Sequence, residues 1–166
     1  IGYSNGVPTK PSLYEACQLD VQLKHITADI RNFDNLCDAL ERYKPQVIFH
    51  LAAQPLVKEA YQFPAATYGI NVLGTVNLFE AIRLQKYEVT VVNMTSDKCY
   101  ENTGKLYGYV EEDQLGGRDP YSSSKACSAL LTRSYRESFF SKLSDSQPNA
   151  KICSVRAGNI IGGGDW

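Results

Sequence analysis

The sequence has little that would direct it to a membrane or to nucleic acid. Its formal net charge is only −1, so no large basic surface is predicted that could hold a phosphate backbone or anionic lipid. No apolar run approaches the roughly 18 residues that a membrane-spanning helix requires. The N-terminus, from Ile1 to Asn5, lacks the basic start of a secretory signal peptide. These features predict a cytoplasmic protein that binds neither nucleic acid nor membrane.

Metal ligands and paired cysteines are also scarce. The five cysteines are scattered and odd in number, and no C-x-x-C motif occurs. Neither His25 nor His50 belongs to a cluster of ligand-type residues. A zinc site or a disulfide framework is therefore not expected, and a reducing cytosol is the predicted environment. The 166 residues are 43% hydrophobic and 21% charged, which is typical of one globular domain.

The most informative pattern is Tyr-Ser-Ser-Ser-Lys at residues 121–125. On an α-helix, Tyr121 and Lys125 would lie about one turn apart on the same face. The ammonium would favour the phenolate, which could then accept a proton from an alcohol. With eleven tyrosines in the chain, this spacing could also arise by chance on a surface helix. A second polar cluster, Thr95 to Lys98 after an apolar run, favours the catalytic interpretation.

Strand and helix patterns alternate along the chain. Continuous apolar stretches predict strands buried on both faces, and apolar residues at helical spacing predict helices. The predicted strands are Ile1–Ser4, Leu23–Ala28, Val47–Ala53, Val89–Met94 and Ile152–Arg156. The predicted helices are Phe33–Tyr43, Pro64–Gln85 and Tyr121–Phe140, with a long polar loop over residues 101–120. This order predicts an α/β fold with a doubly wound, Rossmann-like parallel sheet.

Polar residues follow the predicted strands, at the edge where parallel sheets bind ligands. They are Asp29, the turn after Ala53, the run Thr95–Lys98, and Asn159. Each has an ordinary structural alternative, because Asp29 could cap the next helix, Lys98 could be a solvated charge and Asn159 could serve a turn. Their common position at one edge is the stronger indication of a binding site.

Several motifs occur together in the order found in one superfamily. His50–Pro55, Asn71–Thr75, Tyr121–Lys125 and Arg156–Asn159 resemble the extended short-chain dehydrogenase/reductases. Four further stretches are similar to the sugar-nucleotide 4,6-dehydratases of that superfamily, in particular those that act on CDP-glucose. These stretches are Thr95–Asn102, Leu115–Gly117, Ser138–Phe140 and Gly162–Trp166. The resemblance extends over nearly the whole chain.

The resemblance implies a nucleotide-sugar substrate and NAD as cofactor. Hydride leaves C4 of the glucose ring while Tyr121 removes the 4-hydroxyl proton, and Lys125 supports the tyrosine and contacts the nicotinamide ribose. Water then leaves across C5 and C6, and the hydride returns to C6. By position, Asp97 matches the acid for the 6-hydroxyl, and Lys98 matches the residue that handles the C5 proton. A lysine can be that base only if burial or a nearby cation lowers its pKa enough to leave the amine uncharged.

The same resemblance assigns the remaining site residues. Ser96 matches the hydroxyl that hydrogen-bonds the sugar O4, and Asn159 matches a substrate-contacting asparagine. The residues expected to contact the cofactor, besides the tyrosine and lysine, are Asp29, Ile30, Leu51, Ala52, Ala53 and Thr95.

The chain departs from the superfamily at both ends. The Gly-rich phosphate loop, the strand before it and the C-terminal part that closes over the substrate are missing, and there is no initiator Met. We therefore expect residues 1–166 to be a partial NAD-binding Rossmann domain, internal to a longer protein. The absent first strand would leave a gap of roughly 10 Å between the strand ending at Ser4 and the one beginning at Val47.

The resemblance also implies a homodimer built from helices Pro64–Gln85 and Tyr121–Phe140. Their apolar sides exceed what one sheet face can cover, and Tyr135, Phe139 and Phe140 cluster at one end. The alternative is that all of these side chains face the core.

Two other functions remain open at the level of sequence. One is a sugar-nucleotide epimerase or decarboxylase of the same superfamily, which needs no acid/base pair like Asp97 and Lys98. The other is a non-catalytic member that keeps the fold for binding or assembly, and the intact set of Tyr121, Lys125, Ser96 and Asp97 argues against it.

Overall fold

Strands and helices alternate through the part of the chain that the computed structural model describes, residues 1–7, 9–141 and 150–162. The strands are β1 (Gly2–Ser4), β2 (His25–Thr27), β3 (Val47–His50), β4 (Val89–Met94) and β5 (Ala150–Val155). The helices are α1 (Leu13–Ala16), α2 (Leu19–Gln22), α3 (Phe33–Tyr43), α4 (Val57–Gln62), α5 (Pro64–Tyr68), α6 (Gly74–Arg83) and α7 (Pro120–Ser138). A π-helical turn, Gly69–Leu73, joins α5 to α6, and a 3-10 turn, Asp97–Cys99, follows β4. Of the stretch Gly162–Trp166, all but Gly162 lies outside the described residues.

The strands form two parallel sheets separated by a cleft. β1 pairs with β2, and β4 lies between β3 and β5. The pairings of these five described strands are parallel, with Tyr3 opposite Ile26 and Phe49 opposite Val92, which confirms the predicted α/β fold. The cleft has a volume of about 660 Å³ and opens between the β1 and β3 edges, where the sequence predicts the gap.

The core lies where α3 and α6 pack against the sheets. Phe79 and Ile82 of α6 and Val91 of β4 are completely buried. On α3, Leu36 and Leu40 lie one turn apart and face the same cluster. The helix begins at Asn32, whose side chain accepts a hydrogen bond from the Asn35 amide at 3.0 Å. Within the described residues, no helix has both the length and the apolar character needed to cross a bilayer.

The sequence predicts that the strand at Val47 is buried on both faces, but the structure leaves one of its faces exposed. Val47 is 52% exposed, Phe49 67% and Leu51 63%. All three line the cleft between the sheets, where no described strand pairs with β3. The apolar run correctly predicts a strand. The burial of this strand on both faces would require another part of the protein to fill the cleft.

The predicted helix Pro64–Gln85 is correct in its start, because α5 begins at Pro64, but it is not one continuous α-helix, and a separate helix precedes it. Helical structure begins at Val57 and breaks at Phe63, where φ is −132° and ψ is 63°. Pro64 disfavours helical backbone in the preceding residue and begins a new helix in its place. The wider π-helical turn then interrupts the α-helical pattern before Gly74.

Helix α7 buries mainly small and polar residues, and Tyr135 near its end packs with the two phenylalanines that follow the helix. Tyr135, Phe139 and Phe140 are only half-buried, and the Tyr135 ring lies 5.3 Å from the core ring of Phe79. This cluster therefore packs on the core, which is the alternative left open by the sequence. In the two segments predicted to form the dimer, residues 64–85 and 121–140, the exposed large apolar side chains are Leu73, Leu84 and Leu130.

Candidate active site

The first turn of α7 presents Tyr121 and Lys125 on one buried face, as predicted. Asp119 caps the helix and accepts hydrogen bonds from the Tyr121 and Ser122 amides at 2.9 and 3.0 Å. Only 9% of Tyr121 and 8% of Lys125 is exposed. The Lys125 Nζ donates to the Met94 carbonyl at 3.2 Å, at the end of β4. Burial lowers the pKa of Lys125, because a desolvated ammonium is disfavoured.

The residues after Met94 form a second, rigid segment. The Thr95 amide and hydroxyl both donate to the Val155 carbonyl at 2.9 Å, and the Asp97 amide donates to the Ala157 carbonyl at 3.0 Å. Ser96 is buried and begins the 3-10 turn, with its hydroxyl accepting from the Lys98 amide at 3.2 Å. The predicted Ser96, Asp97 and Lys98 thus leave the sheet directly beside the carbonyl that holds Lys125.

Lys98 connects two other predicted site residues. Its Nζ donates to Asn159 Oδ1 at 3.2 Å and to Asp97 Oδ1 at 3.4 Å. The structure therefore brings Asp97, Lys98 and Asn159 together at the ends of β4 and β5. Asp97 and Lys98 line an open cleft of about 1550 Å³ between the long loop, α7 and β5. The Lys98 side chain is 43% exposed and lies beside the Asp97 carboxylate, so the part of the chain that the structure describes does not give it the burial that a lysine base requires.

Asp29 and Ile30 follow β2 and have different surroundings. The Asp29 carboxylate accepts hydrogen bonds from Arg31, at 2.8 Å from the amide, 3.0 Å from Nε and 2.7 Å from Nη2. The Arg31 guanidinium lowers the pKa of Asp29. Ile30 is buried and packs against Gly74, where a Cβ would meet the Ile30 Cγ2 at 2.6 Å. The next helix is capped by Asn32, so Asp29 is not its cap.

The turn after β3 is held by two hydrogen bonds between the Gln54 backbone and the Asn71 side chain. The backbone N–H of Gln54 donates to Asn71 Oδ1 at 2.8 Å, and Asn71 Nδ2 donates to the backbone carbonyl of Gln54 at 3.1 Å. Leu51 and Ala52 precede this anchor and line the cleft between the sheets. Ala52 and Ala53 are small, which leaves room for a ligand to approach the backbone.

A buried polar network behind the site was not predicted. Asn71 Nδ2 donates to Ser124 Oγ at 2.8 Å, and His50 Nε2 lies 3.0 Å from Thr75 Oγ1. Asn93 Nδ2 donates to Ser128 Oγ at 2.9 Å. The sequence does carry a signal for this network, because polar residues recur at every fourth position inside two helices. They are Asn71 and Thr75 in the middle segment, and Ser124, Ser128 and Thr132 in α7.

The sequence pattern of the GDP-mannose 4,6-dehydratase family matches residues 7–146 of the chain. The chain belongs to this family. A CDP-glucose 4,6-dehydratase from Salmonella typhimurium is 46% identical over 165 residues, which cover 99% of this chain and 46% of that protein. The chain therefore spans less than half the length of this relative.

Solved structures of other sugar-nucleotide enzymes share the fold of this GDP-mannose 4,6-dehydratase family member. A dTDP-glucose 4,6-dehydratase from Streptomyces venezuelae matches with a TM-score of 0.69 at 23% identity, over 83% of this chain and 40% of that one. A UDP-Glc/GlcNAc 4-epimerase from Campylobacter jejuni matches with a TM-score of 0.74 at 24% identity, over 93% of this chain and 44% of that one. At these identities the likeness concerns the Rossmann-like fold alone.

Proposed function

We propose that this chain is the catalytic part of a sugar-nucleotide 4,6-dehydratase that converts CDP-glucose to CDP-4-keto-6-deoxyglucose. The observation that carries the proposal is the placement of two segments at the end of β4. Lys125, one turn from Tyr121, donates to the Met94 carbonyl, and Ser96, Asp97 and Lys98 follow two to four residues later. The 46% identity to the Salmonella CDP-glucose enzyme supports the choice of nucleotide.

NAD is the proposed cofactor, and when bound it supplies the hydride acceptor and donor for C4 and C6. The residues of this chain fit such a group at two places. Among the described residues the buried Lys125 ammonium donates one hydrogen bond, to a carbonyl, and an ammonium has three N–H groups, so donors remain for a ribose hydroxyl. Leu51 and Ala52 line the cleft at the end of β3, and Asp29, Ile30, Ala53 and Thr95 complete the proposed contacts. This sequence does not contain a Gly-rich phosphate-binding loop for the pyrophosphate.

Tyr121 is the proposed base for the 4-hydroxyl of the sugar. Its side chain is shielded from water and lies one helical turn from the buried Lys125, at the end of β4 where Ser96 also lies. Ser96 is the proposed donor to the sugar O4, because its hydroxyl lies at the start of the neighbouring turn. Together these residues orient the alcohol that is oxidised.

Asp97 and Lys98 are the proposed pair for the elimination of water. Asp97 would carry a proton to the departing 6-hydroxyl, and Lys98 would act at the C5 proton. The exposed position of Lys98 is compatible with that role only when substrate and the remainder of the protein cover the cleft, which would strip water from the amine. Asn159, which now accepts a hydrogen bond from Lys98, would contact the substrate.

The proposed assembly is a cytoplasmic homodimer formed through the helices of residues 64–85 and 121–140. Leu73 is 60% exposed, Leu84 57% and Leu130 52%. These side chains supply an apolar surface, whereas the aromatic cluster around Tyr135 is used by the core. Sedimentation of the full-length protein as a monomer at micromolar concentration would contradict the dimer.

The proposal is tested by incubating the full-length protein with CDP-glucose and measuring the ultraviolet absorbance of the 4-keto product in base. Product should form with CDP-glucose and much less with UDP-glucose or dTDP-glucose. Tyr121→Phe should reduce turnover by several orders of magnitude while nucleotide binding, measured by calorimetry, stays nearly unchanged, because only the proton acceptor is lost. Wild-type protein that binds CDP-glucose without forming a 4-keto sugar would refute the proposal.

A further inference from the structure

A column of two tyrosine rings and two cations stands beside the proposed elimination residues. The Arg156 guanidinium carbon lies 4.8 Å from the centre of the Tyr100 ring, and its Nη1 donates to the Tyr100 hydroxyl at 2.6 Å. The Tyr100 ring stacks on Tyr109 with centroids 5.1 Å apart and an interplanar angle of 18°. The Lys105 Nζ lies 4.6 Å from the centre of the Tyr109 ring. We call Arg156, Tyr100, Tyr109 and Lys105 the cation–π column.

The column ties the long loop to the end of β5. Arg156 follows β5 directly, and its Nη1 also lies 3.4 Å from the Glu111 carbonyl. At the other end, Lys105 forms an ion pair with Asp113, and the Tyr109 hydroxyl accepts from the Thr103 amide at 3.0 Å. Cations over aromatic faces and an arginine–phenol hydrogen bond are both attractive, so the four side chains restrain one another.

Burial cannot orient the two proposed elimination residues, because the Asp97 side chain is 54% exposed and that of Lys98 43%. Ser96 Oγ donates to Asp97 Oδ1 at 3.1 Å and Lys98 Nζ donates to Asn159 Oδ1 at 3.2 Å, so their direction depends on these hydrogen bonds and on the backbone of the turn that carries them. The turn begins at Ser96, which caps it, and ends at Tyr100, whose amide donates to the Asp97 carbonyl at 3.4 Å. A residue that holds Tyr100 holds one end of this turn.

Arg156 and its two chain neighbours together contact both ends of the turn. The carbonyls of its two chain neighbours, Val155 and Ala157, accept from the amides of Thr95 and Asp97 and fix the beginning. Its own side chain grips the Tyr100 hydroxyl and fixes the end. The backbone and the side chain of this single segment thus act on opposite sides of the two proposed elimination residues.

We propose that Arg156 and Tyr100 are positioning residues that hold Asp97 and Lys98 in place for the loss of water, while contributing little to oxidation at C4. This inference rests on the proposed dehydratase function. Oxidation depends on Tyr121 and Lys125, which are held by α7 and the Met94 carbonyl and not by the column.

The test compares Arg156→Met and Tyr100→Phe with wild type in the full-length protein, under single turnover with CDP-glucose. Tyr100→Phe keeps the ring stack and removes only the acceptor of the Arg156 hydrogen bond. Both variants should form reduced cofactor, read at its near-ultraviolet absorbance, at close to the wild-type rate. The 4-keto-6-deoxy product should then appear about tenfold more slowly, so that reduced cofactor accumulates, with KM changed by less than about twofold.

Two matched variants control for the loss of an arginine and of a tyrosine hydroxyl. Arg42→Met removes an arginine that lies 5.3 Å from the Tyr43 ring, remote in sequence from the column. Tyr107→Phe changes a tyrosine of the same loop that is 75% exposed. Both variants should match wild type in the rate of cofactor reduction and in the rate at which the 4-keto-6-deoxy product forms.

A second readout does not require activity. Leu106 and Tyr107 are exposed at the tip of the loop and are chymotrypsin sites, so loss of the column should speed cleavage there in Arg156→Met and not in Arg42→Met. Wild type that makes no 4-keto sugar would refute the proposed function, and cleavage would still test the column. Equal cleavage of wild type and Arg156→Met, or a parallel loss of oxidation and elimination without accumulated reduced cofactor, would overturn the inference.

Discussion

Lys125 and His50 are two basic side chains that share one buried region. Burial lowers the pKa of both, and the Lys125 ammonium contributes to lowering the pKa of His50 to about 4. His50 is therefore neutral at physiological pH and serves as a hydrogen-bond partner of Thr75. A charged imidazole there would repel the ammonium that the proposed chemistry needs.

The His50 environment predicts a specific loss of stability in acid. Between the ordinary pKa of 6.5 and the folded value of about 4, the unfolded chain binds a proton that the folded chain does not. The free energy of unfolding therefore falls as pH is lowered through this window, by about 2 kcal/mol between pH 7 and pH 5. His50→Gln has no imidazole to protonate, so its free energy of unfolding lacks this part of the pH dependence. Urea titrations of both full-length proteins at pH 7 and pH 5 measure their free energies of unfolding. The difference between wild type and His50→Gln should be smaller at pH 5 by about 2 kcal/mol, and an unchanged difference would contradict the assignment.

Asp97 and Lys98 should separate oxidation from elimination. Asp97→Asn removes the proton donor and Lys98→Met removes the amine, whereas the tyrosine base is untouched. Hydride removal from C4 should survive in both variants, so that reduced cofactor accumulates without the keto-deoxy product in single-turnover absorbance measurements. If Lys98→Met lost water at the wild-type rate, the role proposed for Lys98 would be wrong.

At the scale of elements, the π-helical turn Gly69–Leu73 connects the middle helices to α7. It carries Asn71, whose side-chain amide bonds the backbone of Gln54 and the hydroxyl of Ser124. One side chain thus joins the turn after β3 to α7. π-Helical turns often occur at functional sites, and this one places a buried amide between two segments of the proposed site.

Asn71→Ala should be among the more damaging single substitutions in the chain. It leaves the Gln54 backbone groups and Ser124 short of a partner in a buried region, at a cost of about 3 kcal/mol in the free energy of unfolding. Asn77→Ala, on α6, is the matched control. Its amide donates to the Arg31 carbonyl at 2.9 Å from a half-buried position, so its loss should cost about 1 kcal/mol or less. Urea unfolding of the full-length variants measures both, and equal costs would contradict the role given to Asn71.

Local patterns predict the elements that depend on local chemistry. The Val89–Met94 strand and the Phe33–Tyr43 helix agree with the structure, because an apolar run and a helical stripe each record one burial environment. The break at Phe63 has a local signal in Pro64, whereas the π-helical turn and the exposure of Phe49 could not be predicted, since each depends on partners distant in sequence. For the same reason the motifs name Tyr121 and Lys125 but not Arg156 and Tyr100, whose pairing spans 56 positions.

On the scale of the whole molecule, the main feature is the cleft between the two sheets. The β1 and β3 edges are parallel strands that face it, and its walls are mainly apolar. Unpaired strand edges with apolar side chains favour aggregation. The chain also spans 46% of the Salmonella relative, so the segments that would cover this surface in the full-length protein are proposed to lie outside these 166 residues.

The 166-residue chain on its own should therefore be poorly soluble, should not turn over sugar nucleotide and should not bind NAD tightly. The open edges promote association, and the sequence contains no Gly-rich phosphate loop that could hold the pyrophosphate. Expression of the chain alone, followed by calorimetric titration with NAD, checks this expectation. A micromolar dissociation constant together with a cooperative melt would contradict it.

The most direct test of the central claim follows a deuterium atom through the reaction of the full-length protein. With CDP-glucose labelled by deuterium at C4, the proposed mechanism takes that deuterium as hydride and returns it to C6. The product should be CDP-4-keto-6-deoxyglucose with the label in its 6-methyl group, as read by mass spectrometry and NMR. A sugar that keeps its 6-hydroxyl and carries the label at C4, as an epimerase would give, or a methyl group without label, would contradict the account.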